Sequence, residues 1–249
     1  MELLRGLNLL DLVSRFGPQP EGRVVHILIQ VCEALAEAHG LGLMHRDIKP
    51  ANVFLCHRGG IPDCVKVLDF GLVREYRDGS RDQLHLTGEK GMIGTPSFMP
   101  PEAIKNSGRS DPRSDIYSVG ALGYFLLTAG NVFAADNVLD LYEKHLTQSP
   151  SSPSERTSNP ISGELEETIL RCLEKEPNLR PQSVAELGAL LQTSPFVSGW
   201  GLEERTAWWA KYESQAIVSR GRNNSREPSP IEATVRVDFA GRIHGQSQI

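Results

Sequence analysis

The stretch HRDIKPANVF, residues 45–54, places acidic, basic and amide side chains close together in one short run. Asp47 is an anion that can accept a proton, and Lys49 is a cation that can neutralise phosphate. Asn52 adds an amide oxygen, which is a hard ligand of the kind that Mg²⁺ binds. A hydrophobic core rarely needs these groups, whereas phosphoryl transfer from a Mg²⁺-bound nucleotide uses all three. Taken alone, the run is also compatible with an ordinary polar loop.

Two short predicted strands position these residues. Residues 53–56 and 65–68 are rich in Val, Leu and Phe, and the sequence between them, HRGGIPD, is rich in turn-forming residues. An antiparallel hairpin with its turn centred on Gly60-Ile61 would place Asn52 opposite Asp69. A carboxylate and an amide oxygen would then meet at the open end of the hairpin, which predicts a Mg²⁺ site there.

Most of the remaining chain has helical periodicity, so we expect a mainly α protein with a small β-hairpin. Apolar residues within 24–38 recur on one helix face, with Pro20 before them and Gly40 after them as start and stop signals. Residues 114–128 are apolar on nearly all sides, which predicts a helix buried in the core. The polar, aperiodic stretch 74–94 predicts a long loop. Further helices are predicted at residues 7–15, 137–147, 163–174, 182–191 and 203–213.

Four motifs follow one another in an order that resembles the signature of the eukaryotic-type protein kinases. These are His45-Arg46-Asp47 through Asn52, Asp69-Phe70-Gly71, Gly94-Thr95-Pro96 and Pro100-Pro101-Glu102. Each motif alone has an ordinary reading as a loop or a turn, but the ordered set does not. Lys49 and Gly94-Thr95-Pro96 resemble the serine/threonine branch of the family, and residues 114–130 are similar to bacterial kinases of this type. The resemblance implies transfer of the ATP γ-phosphoryl group to a serine or threonine hydroxyl of a protein substrate.

The resemblance also implies a role for each residue near the transferred phosphate. Asp47 would be the base that accepts the proton of the substrate hydroxyl, and Lys49 would be the cation on the phosphate side. Asn52 and Asp69 would be the Mg²⁺ ligands. Thr95 would form a hydrogen bond near Asp47 and Lys49.

By the same resemblance, the first residues of the chain would contact ATP. Residues 1–4 resemble the hinge between the two lobes of a kinase, and Glu2 and Leu4 would bind the nucleotide there. Phe54, together with Leu126, would pack against adenine from below.

Three further residues are implied to be structural, and two to be regulatory. Asp115 would anchor the catalytic loop from the start of the buried helix, and Glu102 would pair with Arg180. Thr87 is the candidate phosphosite, with Ser80 as the weaker alternative. Arg46 would pair with the phosphate, because a guanidinium can form a bidentate, charge-assisted contact with a phosphothreonine.

No GxGxxG motif occurs in the chain, and nothing before residues 1–4 corresponds to the N-lobe of a kinase. We therefore expect a kinase C-lobe at residues 1–192 and a C-terminal extension at residues 193–249, with a disordered stretch at 220–230. Two functions stay open. One is a serine/threonine kinase truncated before the hinge, with doubtful activity on its own, and the other is a non-catalytic scaffold or binding module.

Composition excludes several other classes of protein. The net charge of −5 argues against a nucleic-acid-binding surface, and no run of apolar residues is long enough for a membrane span. The four cysteines have no regular spacing, so we expect reduced thiols and a cytoplasmic protein. Cys56, His57 and Cys64 leave a minor alternative, a metal site near the hairpin turn.

Two apolar features predict contacts. Phe70 and His45 would contribute apolar surface on the face that docks the N-lobe, which predicts self-association of the chain. Trp208 and Trp209 predict that the C-terminal helix packs back onto the domain, with a partner-binding site as the alternative.

Overall fold

The computed structural model describes residues 6–68, 74–75, 96–105, 110–193, 195 and 199–222, with side chains in the last helix up to residue 212. This part of the chain contains eight α-helices and five short β-strands, so the mainly α prediction is confirmed. The helices are α1 Leu9–Phe16, α2 Glu21–Gly40, α3 Pro101–Lys105, α4 Pro112–Thr128, α5 Val138–Thr147, α6 Gly163–Cys172, α7 Val184–Gln192 and α8 Leu202–Arg222. The strands are β1 Gly6–Asn8, β2 Leu43–Met44, β3 Val53–Arg58, β4 Ile61–Val67 and β5 Arg74–Glu75.

The predicted hairpin is formed by β3 and β4, which pair antiparallel, and β1 adds a third strand beside β3. Residues 7 and 8 were predicted to begin a helix, but they belong to β1. The helix begins at Leu9, two residues later than predicted, because the side chain of Asn8 accepts a hydrogen bond from Asp11 N and caps it. A second small sheet pairs β2 with β5, and β5 lies at the start of the stretch 74–94 that was predicted to be a loop.

The turn of the hairpin lies one residue earlier than predicted, at Gly59-Gly60, because Arg58 pairs with Ile61. Both glycines have positive φ, 56° and 81°, which is the backbone that a two-residue hairpin turn with the twist of the flanking strands requires. Ile61, which the prediction placed in the turn, would be strained in this conformation, so the turn uses the two glycines.

Helix α4 is the centre of the core, as its sequence predicted. Every residue from Ser114 to Thr128 is buried, and α2, α6 and α7 pack around it. Gly120 and Gly123 allow α6 to approach closely, since a Cβ at either position would lie within 2.5 Å of a side-chain atom of Cys172 or Ile169.

Side-chain caps fix the starts of the later helices within one or two residues of the predicted positions. Asn137, Ser162 and Ser183 each accept a hydrogen bond from the backbone N–H three residues later, at the N-termini of α5, α6 and α7. Polar residues of this kind are strong helix-start signals, and these predictions are confirmed.

The last helix is longer than predicted. It continues to Arg222, so residues 220–222, which composition assigned to a disordered stretch, are helical. Trp209 is 3% exposed, and Trp208 packs against the main core, which confirms that this helix docks onto the domain.

Two exclusions can be checked within the described residues. No helix there is long and apolar enough to cross a membrane. No group of three His, Cys, Asp or Glu side chains in that part of the chain is arranged to hold a metal ion.

Candidate active site

The loop of residues 45–52 is held in place by one buried carboxylate, that of Asp115 near the start of α4. Its Oδ2 accepts a hydrogen bond from His45 N at 2.9 Å, and its Oδ1 accepts one from Arg46 N at 2.8 Å. His39 Nε2, at the end of α2, contacts the same Oδ2 at 2.8 Å. A buried carboxylate is stable when several donors satisfy it, and this carboxylate thereby ties the loop to the most buried helix.

Arg46 bends the loop, because its φ is 65°, a left-handed conformation that non-glycine residues rarely adopt. The two hydrogen bonds from residues 45 and 46 to Asp115 compensate the backbone strain. Asp47 follows directly after this bend.

The ring of His45 connects the loop to the open end of the hairpin. Its Nε2 donates a hydrogen bond to Leu68 O at 3.0 Å, and its Nδ1 accepts one from Asp47 N at 3.3 Å. Leu68 N in turn donates to Asn52 O at 2.8 Å, so the two strands of the hairpin end beside the loop. His45 is 0% exposed, and the prediction that it contributes exposed apolar surface is wrong, because both ring nitrogens form hydrogen bonds inside the fold.

Asp47, Lys49 and Asn52, which the sequence analysis singled out, meet at one carboxylate oxygen. Lys49 Nζ lies 2.7 Å from Asp47 Oδ2, and Asn52 Nδ2 donates to the same oxygen at 3.0 Å. Asn52 Nδ2 also donates to Asp47 O at 2.9 Å. The amide nitrogen of Asn52 therefore donates only to Asp47 among the described residues.

The orientation of Asn52 bears on whether Mg²⁺ could be held here. Since its Nδ2 faces Asp47, its Oδ1 is the side-chain atom that can act as an oxygen ligand. A neutral amide oxygen beside a separate carboxylate fits the donor set that Mg²⁺ prefers. Asn52 is 8% exposed and lies at the end of the short 3₁₀ turn Pro50–Asn52.

Several predicted site residues lie outside the described part of the chain. They are Glu2, Leu4, Asp69, Thr87 and Thr95, together with Ser80 and Phe70. The predicted proximity of Asn52 and Asp69 therefore stays a prediction, although Leu68, which follows β4, donates a backbone hydrogen bond to Asn52 O.

The two residues expected below adenine belong to different clusters. Phe54 is 3% exposed and packs with Cys56, Cys64 and Leu68 on one face of the sheet. Leu126 is fully buried in the main core on α4, so it presents no surface to a ligand and that part of the expectation is wrong.

Glu102 and Arg180 form a salt bridge at 2.8 Å. The guanidinium is 0% exposed and uses all five N–H donors, two on Glu102 and three on the backbone carbonyl oxygens of Arg113, Glu174 and Lys175. Burial opposes ionisation of Glu102, but the hydrogen bonds and charge of Arg180 outweigh it, so the pKa of Glu102 lies below its ordinary value. This pair fixes the short helix α3 against the segment that precedes α7.

Three residues that support the site were not predicted from the sequence. His39 contacts the Asp115 carboxylate, Ser114 Oγ donates to Glu102 Oε1 at 2.7 Å, and Gln30 Oε1 accepts from Val65 N in β4 at 3.0 Å. Their helical periodicity shows only that they lie on α2 and α4. Nothing in one sequence indicates which carboxylate or strand such a side chain meets.

This chain is similar in sequence to known protein kinases. The model of the protein kinase domain family matches residues 1–191. Serine/threonine-protein kinase pkn3 of Myxococcus xanthus is 42% identical over 193 residues, which cover 77% of this chain and 35% of the relative. Serine/threonine-protein kinase PknB of Mycobacterium leprae (strain TN) is 34% identical over 189 residues, which cover 76% of this chain and 29% of the relative. The chain thus spans about a third of the length of these curated relatives.

A solved structure agrees with the family match. The crystal structure of the Rad53 kinase domain and SCD2 superposes with a TM-score of 0.63 at 26% sequence identity, covering 78% of this chain and 67% of that one. The fold, the family match and the ordered motifs around Asp47 lead to one assignment: this chain belongs to the protein kinase domain family.

Proposed function

We propose that this chain is the catalytic lobe of a serine/threonine protein kinase, which transfers the γ-phosphoryl group of ATP to a serine or threonine hydroxyl of a protein. The observation that carries the proposal is the convergence of Lys49 Nζ at 2.7 Å and Asn52 Nδ2 at 3.0 Å on Asp47 Oδ2. The relatives that bear the name serine/threonine-protein kinase support the same activity.

Asp47 acts as the base in this proposal. One of its oxygens, Oδ2, is held by Lys49 and Asn52, and the other, Oδ1, accepts the proton of the substrate hydroxyl. Lys49 is part-buried, so its charge next to the carboxylate is only partly screened by water and neutralises the transferring phosphoryl group. Thr95 would join this pair through its hydroxyl.

ATP and Mg²⁺ are the proposed cofactors. Asn52 Oδ1 and the carboxylate of Asp69 would hold Mg²⁺, which would neutralise the negative charge of the phosphates. Glu2 and Leu4 would bind the nucleotide at the hinge, and Phe54 would pack below adenine. A Rad53 kinase domain structure in complex with AMPPNP, which has a TM-score of 0.61 and 25% identity to this chain, supports a nucleotide in this fold.

We propose that residues 1–192 form the C-lobe and residues 193–249 a C-terminal extension. The helix that ends at Gln192 supports this boundary, because the family match ends at residue 191. In a kinase, an N-lobe with a glycine-rich loop covers the phosphates, and no GxGxxG motif occurs in these 249 residues. The nucleotide site is therefore complete only when this C-lobe meets such an N-lobe.

Thr87 is the proposed regulatory phosphosite and Arg46 its partner. Arg46 stands next to Asp47, so a phosphate bound to its guanidinium would order the chain beside the base. Thiol cysteines and the use of ATP support a cytoplasmic location. Self-association through the N-lobe-docking face is part of the proposal and is tested by size-exclusion chromatography over a concentration series.

The decisive experiment joins the chain to the N-lobe of a similar bacterial kinase and measures Mg²⁺-dependent transfer of ³²P from ATP to a serine/threonine peptide. Asp47→Asn should lower kcat by at least about a hundredfold with little change in ATP binding, because the base acts on the hydroxyl proton. Asp111→Asn, which keeps a good N-cap residue on α4, is the matched control and should leave turnover intact.

The same experiment distinguishes the alternative function. Transfer that is absent in the joined protein while Mg-ATP still binds would favour a non-catalytic scaffold. Transfer that persists in Asp47→Asn would remove Asp47 from the role of base.

A further inference from the structure

Cys56 in β3 and Cys64 in β4 lie directly opposite each other in the antiparallel sheet. Opposite residues project from the same face, and both side chains pack in the small cluster that contains Phe54 and Leu68. Cys56 Sγ lies 3.4 Å from the backbone carbonyl oxygen of Cys64, and both side chains are thiols. We propose that Cys56 and Cys64 form a redox-modification site, which low-molecular-weight disulfides convert to a cross-strand disulfide.

A β-bulge creates this pairing. Next to the turn, Arg58 pairs with Ile61, and that register would place Cys56 opposite Asp63. The register shifts by one residue between Cys56 and Arg58, where Asp63 adopts a left-handed φ of 57°. The bulge turns the Asp63 side chain toward α2 and brings Cys64 opposite Cys56.

The spacing of the two residues fits a disulfide. Leu68 N donates to Asn52 O, so these two residues, one step beyond the end of the ladder, form a hydrogen-bonded pair. Pair types alternate along an antiparallel ladder, which makes Cys56 and Cys64 a hydrogen-bonded pair with a Cα separation of about 5.5 Å. Disulfides in proteins join Cα atoms about 4.4–6.8 Å apart, so bond formation needs rotation of the side chains and little movement of the strands.

The two thiols have different access to an oxidant, which sets the order of the steps. Cys64 is half-buried, whereas Cys56 is 0% exposed. The Cys64 thiolate attacks one sulfur of a small disulfide and releases one thiol, which gives a mixed disulfide. The Cys56 thiol then loses its proton, and its thiolate attacks Cys64 Sγ and releases the second thiol. The protein is oxidised by two electrons, and the small disulfide is reduced to two thiols.

The other two cysteines do not share this chemistry. Cys32 and Cys172 lie in the main core. Burial raises the pKa of Cys32 to about 12 and also raises the pKa of Cys172, so neither forms the reactive thiolate readily. Selective oxidation of the hairpin pair is therefore expected in the folded chain, and it does not rest on the proposed kinase activity.

The experiment equilibrates the 249-residue chain with mixtures of reduced and oxidised glutathione, alkylates remaining thiols, and maps the peptides by mass spectrometry. The expected product is a Cys56–Cys64 disulfide, with Cys32 and Cys172 alkylated only after denaturation. The pair should form at least about tenfold more readily in the native chain than in denaturant, because the native hairpin already holds the two residues together. Cys64→Ser should show no disulfide.

A matched double variant tests the role of the opposite position. Cys64→Ser with Lys66→Cys moves the thiol to the diagonal neighbour on the same face, where Cα separations of about 7–8 Å exceed the disulfide range. This variant should remain reduced in the mixture that oxidises the natural chain. The proposal is overturned if the diagonal pair oxidises equally well, if the natural chain keeps both thiols, or if denaturant does not lower the extent of oxidation.

Discussion

The indole nitrogen of Trp209 donates a 2.6 Å hydrogen bond to Asp63 Oδ1, which joins α8 to the β3–β4 hairpin. Trp200 Nε1 donates to the other oxygen, Oδ2, at 2.7 Å, and Arg23 donates to both oxygens at 2.8 and 3.0 Å. Asp63 is 0% exposed, so these four donors replace the hydrogen bonds that water would make to its carboxylate. Trp200 and Trp209, which lie beyond the family match, thus complete a buried charge network with residues inside it.

Arg23 is the counterion in this network. Its guanidinium lies 3.8 Å from the ring centroid of Trp208, a cation–π contact that covers its face. Burial lowers the pKa of Arg23, and the nearby charge of Asp63 opposes that shift. Phe16 on α1 meets the Trp208 ring edge-on at 5.1 Å, so the extension contacts α1, α2 and the hairpin together.

The first prediction concerns removal of the Asp63 carboxylate. Asp63→Ala should lower the free energy of unfolding by about 3–5 kcal/mol, because it leaves the Arg23 charge buried without its counterion. Urea denaturation followed by tryptophan fluorescence measures the change. Asp140→Ala, at a half-exposed pair with Lys144, is the control and should cost about 1 kcal/mol or less. Equal losses in the two variants would show that the network contributes nothing beyond an ordinary surface charge.

The second prediction concerns the anchor of the 45–52 loop. Asp115→Asn should destabilise the chain by about 2–4 kcal/mol, since one oxygen is replaced by an NH₂ group that faces a backbone donor of His45 or Arg46. Chemical denaturation gives the stability, and hydrogen exchange at residues 45 and 46 gives the local effect. If exchange there stayed as slow as in the natural chain, Asp115 would not be what holds the loop.

The third prediction separates a buried salt bridge from an exposed one. Arg180→Lys should cost about 3 kcal/mol or more, because an ammonium group cannot replace five guanidinium hydrogen bonds in a fully buried site. Arg171→Lys, in an exposed pair with Glu186, should cost about 0.5 kcal/mol or less. Thermal unfolding of both variants is the measurement, and similar melting temperatures would contradict the distinction.

The sequence could predict the elements whose signals are local. The apolar residues of α4, the caps of α5, α6 and α7 and the turn-rich stretch between β3 and β4 all appear within a few neighbouring positions. The run from Asp47 to Asn52 could also be predicted as a unit, because its groups are close in sequence and meet in space. Glu102 and Arg180 are 78 residues apart, and only the family resemblance suggested that they pair.

Other features depend on contacts that no short window of sequence contains. Strands β2 and β5 have two residues each, too few for an alternating pattern, and they pair only because the fold brings them together. Only Pro62 indicates the bulge at Asp63 locally in the sequence, because proline inside a strand often marks a bulge. Its carboxylate nevertheless meets Trp200 and Trp209 across more than 130 residues, which explains why the paired tryptophans predicted docking but not its site.

The last prediction concerns the buried histidine of α5. His145 is 0% exposed, its Nδ1 lies 2.8 Å from Tyr117 OH, and the ring of Phe133 packs on it at 5.0 Å. Burial, and to a smaller extent the nearby charge of Lys175, lower its pKa to about 4. The ring is therefore neutral in the folded chain at pH values where an unfolded histidine, with a pKa near 6.5, already binds a proton.

The direction of the pH effect follows from this difference. Between pH 6.5 and about 4 the unfolded chain binds a proton that the folded chain does not, so the free energy of unfolding falls as the pH falls through this window. His145→Gln removes the titrating ring and should flatten the dependence, while Lys175→Met removes the second cause of the shift and should reduce it. Urea denaturation at a series of pH values measures the free energy of unfolding of the three proteins. Glu102, whose pKa is also lowered, is present in all three, so its contribution to the pH dependence is the same in each. Parallel curves for the natural chain and His145→Gln from pH 7 to pH 4.5 would contradict the prediction, because they would show that the buried ring does not couple folding to protonation.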